Sequence, residues 1–408
     1  MVTIVLRTLQ KSFGALQYPA YRWLWLGRLA TSATFHMGSV AQGWLVYELT
    51  DSAFALGWVG AGWSLATLLL SPYGGVIVDR IDKRGLMLAM RIGMLLNNVA
   101  VGLLLSLGMI QVWHLALSWF LTGVFGAFLL PAQQAMLSEV VPSHALMNAV
   151  SFDALGMGLM GILGASAAGL MIESVGAQSV YFVVAGMYLI ASAATWPLPK
   201  AEPSAANANG VWSDIIEGAR YLRSEPLLLA LIALGLVRVF FVMPYTTLLP
   251  AFAQDRLGLH ASGLGLLQSA NGTGALLASL LACYLGDARG KGKMLVLSGV
   301  IVGLCLMLYV ATPWLPSVLL FLVCIGGLSN LYLVLSSTLI LSRAAPIYRG
   351  RVLSLTMMEY GLSPLGTLPA GAIADQVGVP WVTGVQGAIA AAVFGLVAIL
   401  KPELRRMD

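Results

Sequence analysis

Gly74-Gly75-Val76-Ile77-Val78-Asp79-Arg80-Ile81-Asp82-Lys83-Arg84 decides how the rest of the chain is read. It lies between two apolar runs, near 54–78 and 85–109, each too long for an ordinary core helix. Five of its eleven residues are charged, in a chain with only 10% charged residues. A short charged loop between two such runs reads as a cytoplasmic turn between membrane spans. Gly74 and Gly75 let neighbouring helices approach closely, as small residues do in membranes. Asp79 stands where span becomes loop, with Arg80, Lys83 and Arg84 just beyond it. A plain basic loop would need the cations but neither the glycines nor the aspartate.

Composition agrees. The chain has 408 residues, 59% of them hydrophobic, and a mean hydropathy of +0.87. Soluble domains are about half apolar and about a quarter charged. The expected class is therefore an all-α polytopic membrane protein, not a globular core on an anchor. Cys283, Cys305 and Cys324 fall in apolar runs and form no C-x-x-C pair, so neither a disulfide framework nor a metal site is indicated. The net charge of +5 is scattered over loops and does not argue for nucleic acid. Met1–Leu6 is too short for the apolar region of a cleavable signal.

Twelve spans are predicted, at 22–49, 54–78, 85–109, 112–138, 147–172, 178–197, 226–253, 262–286, 293–312, 316–342, 351–374 and 379–400. They divide the chain into a cytoplasmic interfacial segment (1–21), a six-helix bundle (22–197), a cytoplasmic linker (198–225), a second six-helix bundle (226–400) and a tail (401–408). In the first segment Phe13, Leu16, Tyr18 and Tyr21 mix with Arg7, Lys11 and Arg22, as in a helix lying in the interface. In the linker Trp212, Ile215, Ile216, Ala219 and Leu222 recur at helical spacing. With both termini inside, 18 of the 22 Lys and Arg lie in inner segments and only Arg256 in an outer loop. Arg28, Arg91 and Arg238 lie within spans. That bias sets the orientation.

The two halves echo one another. Asp79 through Lys83 returns as Asp287 through Lys291, Ala168–Gly176 as Ala370–Gly378, and Ser138–Pro142 as Ser342–Pro346. The offsets are 208, 202 and 204 residues. A parallel duplication of six spans, with a substrate site between the halves, is a transporter design.

The order Gly-x-x-x-Asp-Arg-x-x-Lys-Arg over 75–84 resembles the signature loop of the major facilitator superfamily. Trp44–Thr50 with Ser52 and Leu56-Gly57, Pro131–Ala135 with Val141-Pro142 and Asn148-Ala149, Glu217–Leu222, and Arg349–Val352 narrow the likeness. They resemble the bacterial branch that holds enterobactin exporters and macrolide efflux proteins. The likeness runs from about Phe13 to the last span. It implies a multi-pass protein of the bacterial inner membrane, acting as a monomer on a small-molecule substrate, with alternating access and a proton gradient but no cofactor. It implies a gating role for Gly75, Asp79, Arg80, Lys83 and Arg84, with Asp287 and Lys291 as the weaker counterpart. Asp79 would face the start of the eleventh span, where a helix N-terminus favours an anion. The basic residues would complete a network that latches the outward-open state.

Two departures stand out. Drug–proton antiporters of the superfamily often carry an Arg in the fourth span, before a Gly. Here Trp119 precedes Gly123, and the fourth span holds no Arg. Where their fifth span has Gly-Pro, Gly164 is followed by Ala165. The first departure puts coupling by the usual residue in doubt.

An ionisable residue inside a membrane is a functional candidate by default. Glu359, Asp153 and His36 are the candidates for carrying a proton. Glu359 has no acid at its first-half match, Met157. Arg28 and Arg91 sit near the cytoplasmic ends of their spans, where long side chains snorkel. Glu48, at an outer end, is expected to be solvated. The candidate substrate cavity is formed by His36, Gln42, Arg238, Phe240, Asn271, Asn330 and Tyr332, charged and amide groups among aromatics, suited to an amphiphilic solute. The expected function is export of a drug-like or siderophore-like amphiphile by proton antiport. An uptake carrier or lysolipid flippase on the same fold is the first alternative, and a non-transporting receptor or scaffold the second. No arrangement for enzyme chemistry is present in the sequence.

Overall fold

The computed structural model describes residues 14–200, 217, 220–284, 290–345, 348–405 and 407. These form α1 (Pro19–Thr50), α2 (Ala53–Arg80), α3 (Lys83–Ser106), α4 (Val112–Val140), α5 (Ser143–Val175) and α6 (Ala177–Thr195) in the first half. The second half holds α7 (Pro226–Arg256), α8 (Ala261–Tyr284), α9 (Lys291–Ala311), α10 (Leu315–Arg343), α11a (Arg349–Gly361), α11b (Pro364–Val377) and α12 (Val379–Leu400). Among the described residues, nine of these helices are individually long and apolar enough to cross a membrane. The others are α1 and α8, which are long but more polar, and α11, which is broken in two.

Local chemistry sets the boundaries. Ser52 caps α2, its hydroxyl accepting from Ala55 N–H at 3.2 Å. Asp82 caps α3 by accepting from Arg84 and Gly85 N–H at 3.2 and 3.1 Å. Gly176 (φ 98°) and Gly378 (φ 87°) make the one-residue turns from α5 to α6 and from α11b to α12. They occupy matching places in the echoed segments, where a side chain would strain the backbone.

The expected eleventh span, 351–374, is instead two helices. Leu362 and Ser363 separate α11a from α11b, and Pro364 opens the second. Proline lacks an N–H and disfavours helical geometry in the residue before it. The seventh span is interrupted too: Arg238–Val242 and Phe252–Arg256 are π-helical and flank Pro244–Ala251. Pro244 gives no N–H to the Phe240 carbonyl. Gln386 of α12 donates to that carbonyl through Nε2 at 3.4 Å.

Packing repeats at an interval of six helices. In the first half α2 packs on α4, and α3 on both α4 and α6; in the second, α8 packs on α10, and α9 on α10 and α12. The halves meet along α5–α8 and α2–α11b, two seams related by the same interval. Small residues set the spacing there: a Cβ on Gly265 would sit 2.6 Å from the Ala165 carbonyl, and one on Gly371 2.6 Å from that of Ala53. The expected interfacial segment lies outside the described residues up to Phe13. The 3-10 turn Gly14–Gln17 follows it, with Ala15 N–H donating to Asn148 Oδ1 at 2.9 Å. Of the linker helix, Trp212, Ile215, Ile216 and Ala219 also lie outside. Its end is tied to the second half, since Tyr221 stacks on Tyr348 at 4.3 Å and its hydroxyl accepts from Ala345 N–H at 3.1 Å.

Candidate functional site

At the basic loop, α2 carries Gly75, Asp79 and Arg80 in its last turns. The side chain of Asp79 and all of Asp287 lie outside the described residues. Gly74 is where α2 crosses α4, and a Cβ there would collide with the Ala127 carbonyl. Lys83 is 4% exposed, and its Nζ lies 2.6 Å from Glu139 Oε1 at the end of α4. The Arg84 guanidinium lies over the Trp196 ring at 5.4 Å. Arg80 is exposed, and Lys291, first in α9, is half-buried. Lys83 and Arg84 thus find these partners within their own half.

The intramembrane charges assemble into three groups. In the first half Arg28 of α1 pairs with Asp153 of α5, Nε to Oδ2 at 3.1 Å, and donates to the Gln133 carbonyl at 3.3 Å. Arg91 is 1% exposed. It donates to the Ala191 carbonyl at 2.6 Å and to the Thr195 hydroxyl, near the C-terminal end of α6, where the helix dipole favours a cation. Neither arginine snorkels. Arg28 has a buried counter-ion, and Arg91 a helix C-terminus; Gly27 leaves the room, since a Cβ there would lie 2.8 Å from the guanidinium.

The third group is in the second half. Arg238, at the start of the first π segment of α7, is 6% exposed. Its guanidinium lies 5.8 Å from the Tyr332 ring centre and 5.4 Å from that of Tyr360. Glu359 of α11a, 7% exposed, is within electrostatic reach. Its carboxylate packs on Gly235, one turn before Arg238, where a Cβ would overlap it. Among the described residues the two charges form no direct ion pair. The α1–α5 cation and acid are thus matched by a cation and acid on α7 and α11, six helices on. The sequence offset points to Met157 as the partner position of Glu359, but the acid on the corresponding helix of the first half is Asp153, one turn earlier.

The remaining candidates separate. His36 lies against α5 at Gly161, where a Cβ would be 3.3 Å from its Nε2. Beside it Phe35 stacks on Trp119 at 6.1 Å and tilts against Trp63 at 6.3 Å. An aromatic wall therefore stands at Trp119 of α4. Gln42 is buried in α1. Asn271 donates to the Tyr245 hydroxyl. Asn330 of α10 is engaged with α8, donating to the Ala275 carbonyl at 2.9 Å and the Ser279 hydroxyl at 2.7 Å. Phe240 faces elsewhere, lining a groove of about 510 Å³ with Trp381 and Gln386, between α7, α11b and α12. Glu48 is exposed and shares a cavity of about 340 Å³ with Glu173 and His260. Tyr360 and Gly235 do not stand out in the sequence, because neither carries a charge or belongs to a motif.

This fold is shared with known proteins. Residues 10–408 match the family described as transmembrane secretion effector. The chain belongs to that family of major facilitator superfamily transporters. This transporter is 25% identical to the multidrug efflux pump Tap of Mycolicibacterium fortuitum, over 90% of the chain and 92% of that protein. It is also 25% identical to macrolide efflux protein A of Streptococcus pyogenes, over 94% and 96%. Two solved structures show the same fold. One is a bacterial homologue of the human lysosomal transporter Spinster, inward-facing and unoccupied (TM-score 0.69, 16% identity, 96% of this chain and 99% of that one). The other is a POT family transporter in complex with a thioalcohol-conjugated peptide (TM-score 0.75, 11% identity, 94% of this chain and 96% of that one). The transporter is a multi-pass membrane protein and not an enzyme.

Proposed function

We propose that this transporter exports an amphiphilic small molecule across the bacterial inner membrane, driven by proton antiport and alternating access. The observation that carries the reading is the Arg238–Glu359 group. A guanidinium held by two ring faces and a carboxylate packed on a glycine lie close but uncommitted to each other. Each charge is free to exchange partners, Glu359 with a proton and Arg238 with an anionic group of a substrate. Arg28 and Asp153 are already committed to one another. The wall of Phe35, Trp63 and Trp119 offers apolar and aromatic surface in the first half. Glu359 is the proposed proton carrier and His36 the reserve. Drug and macrolide efflux among the relatives supports export over uptake. The loop residues Gly75, Asp79, Arg80, Lys83 and Arg84, with Asp287 and Lys291, are proposed to govern closure of the cytoplasmic end.

The test is accumulation of macrolides, dyes and siderophores in an efflux-deficient host. Expression should lower accumulation of at least one amphiphile, and an uncoupler should restore it. Accumulation that rises on expression would replace export by uptake. Uncoupler-insensitive export would remove the proton.

A further inference from the structure

Asp375 lies near the end of α11b, at the end of the bundle remote from the Gly74–Arg84 loop. Its Oδ2 accepts from the Ser52 hydroxyl at 2.7 Å and its Oδ1 from Ala53 N–H at 2.5 Å; Phe54 N–H lies 3.3 Å from Oδ2. Those donors open α2, in the opposite half of the chain. The first N–H groups of a helix have no partner within it, and their partial positive charge favours a carboxylate. Ser52 satisfies Ala55 N–H itself. Asp375 takes the rest, so α2 is capped by one residue of its own and one from across the seam. Bonds of this kind to a carboxylate are among the stronger ones.

The seam around the cap is tight. A Cβ on Gly57 would sit 3.1 Å from the Thr367 carbonyl, and Gly371 abuts Ala53 and Phe54. A second carboxylate of the same half, Asp255, accepts from the Tyr47 hydroxyl at 2.6 Å. The duplicated seam differs. Glu173 holds the place of Asp375 in the echoed segment, yet among the described residues it takes no N–H from the start of α8. It lies instead in the cavity shared with Glu48 and His260. Of the two equivalent acids, only Asp375 closes across the seam.

We propose that Asp375 is a gating residue of the transport cycle: its cap on α2 holds the remote end shut, and opening that end requires the cap to break. This rests on the alternating-access reading above. The test uses spin-label distances in the full chain, with Cys283, Cys305 and Cys324 replaced by serine. One pair, at Met109 and Trp314, spans the remote end, and another, at Met147 and Lys401, the loop end; all four positions are exposed. Asp375→Ala should lengthen the first distance and shorten the second, raising the ratio of remote-open to remote-closed molecules by about tenfold or more. Ser52→Ala, which keeps the backbone donors, should shift both distances the same way by less. A merely structural role would broaden both distances without the reciprocal change. Distributions identical to wild type in Asp375→Ala overturn the proposal. If that variant only unfolds, an unshifted Ser52→Ala overturns it. Wild-type distances that never exchange under substrate or gradient would sink alternating access, while an Asp375→Ala protein that opens would still uphold the latch.

Discussion

At the scale of single residues, the chain treats its buried charges in two ways. Arg28 and Asp153 are locked together, so removing one leaves the other buried without compensation. Asp153→Asn should cost about 3–5 kcal/mol of stability. The double variant Arg28→Gln with Asp153→Asn should be more stable than Asp153→Asn alone. Thermal unfolding in detergent checks both; equal losses in the single and double variants would mean that the pair is incidental. Arg238 is held by ring faces, which suits a planar guanidinium better than an ammonium. If it meets an anionic group, Arg238→Ala should weaken substrate binding by about tenfold or more, and Arg238→Lys by less. Binding unchanged in both would make Arg238 structural. These residues were legible in the sequence as costly charges in spans, but their partners were not. Arg28 and Asp153 are far apart in the chain, and only the packing of α1 on α5 makes them neighbours. Snorkelling was the natural expectation for Arg91, because nothing in the sequence reports that the end of α6 lies beside it.

At the scale of elements, the helices were mostly readable, because a span must be long, apolar and internally hydrogen-bonded. The breaks were less so. Pro364, Pro244 and Pro250 were visible, but whether a proline kinks a span or divides it depends on what repairs the lost bond. Around Pro244 the repair includes Gln386, from another helix. At α11 there are two separate helices, with Pro364 opening the second. The crossing of α2 on α4 is rigid. Gly74→Val should push the helices apart, at a cost of about 1–3 kcal/mol from overpacking, read as a lower melting temperature. A melting temperature equal to wild type would mean that the crossing relaxes freely. The loop beyond it caps α3 through Asp82 and docks Lys83 and Arg84 in its own half. The Lys83–Glu139 pair is partly solvated at Glu139, so its contribution to stability is under about 1 kcal/mol.

At the scale of the whole molecule, duplication links sequence to mechanism. The echoed segments pointed to the six-plus-six arrangement, and the packing of α2, α3 and α4 returns in α8, α9 and α10. The cation and acid recur on the first and fifth helices of each half, though their offsets differ from those of the nearest motifs by about two to four residues. What duplication does not copy is where asymmetry, and hence direction, can arise. Among the described residues the first-half pair is closed and the second-half pair open, and Asp375 grips α2 while Glu173 takes no hydrogen bond from the start of α8. The substrate was beyond sequence reading, because aromatic rings such as Phe35, Trp63 and Trp119 look the same in a cavity wall and in ordinary packing. The central claim is that Glu359 couples a proton to export. The direct measurement is uphill substrate transport in proteoliposomes under an imposed pH gradient, with substrate-induced proton release from the purified protein beside it. The account predicts that Glu359→Gln loses both while still binding substrate and allowing passive exchange. Uphill transport and proton release at wild-type levels in Glu359→Gln would contradict it.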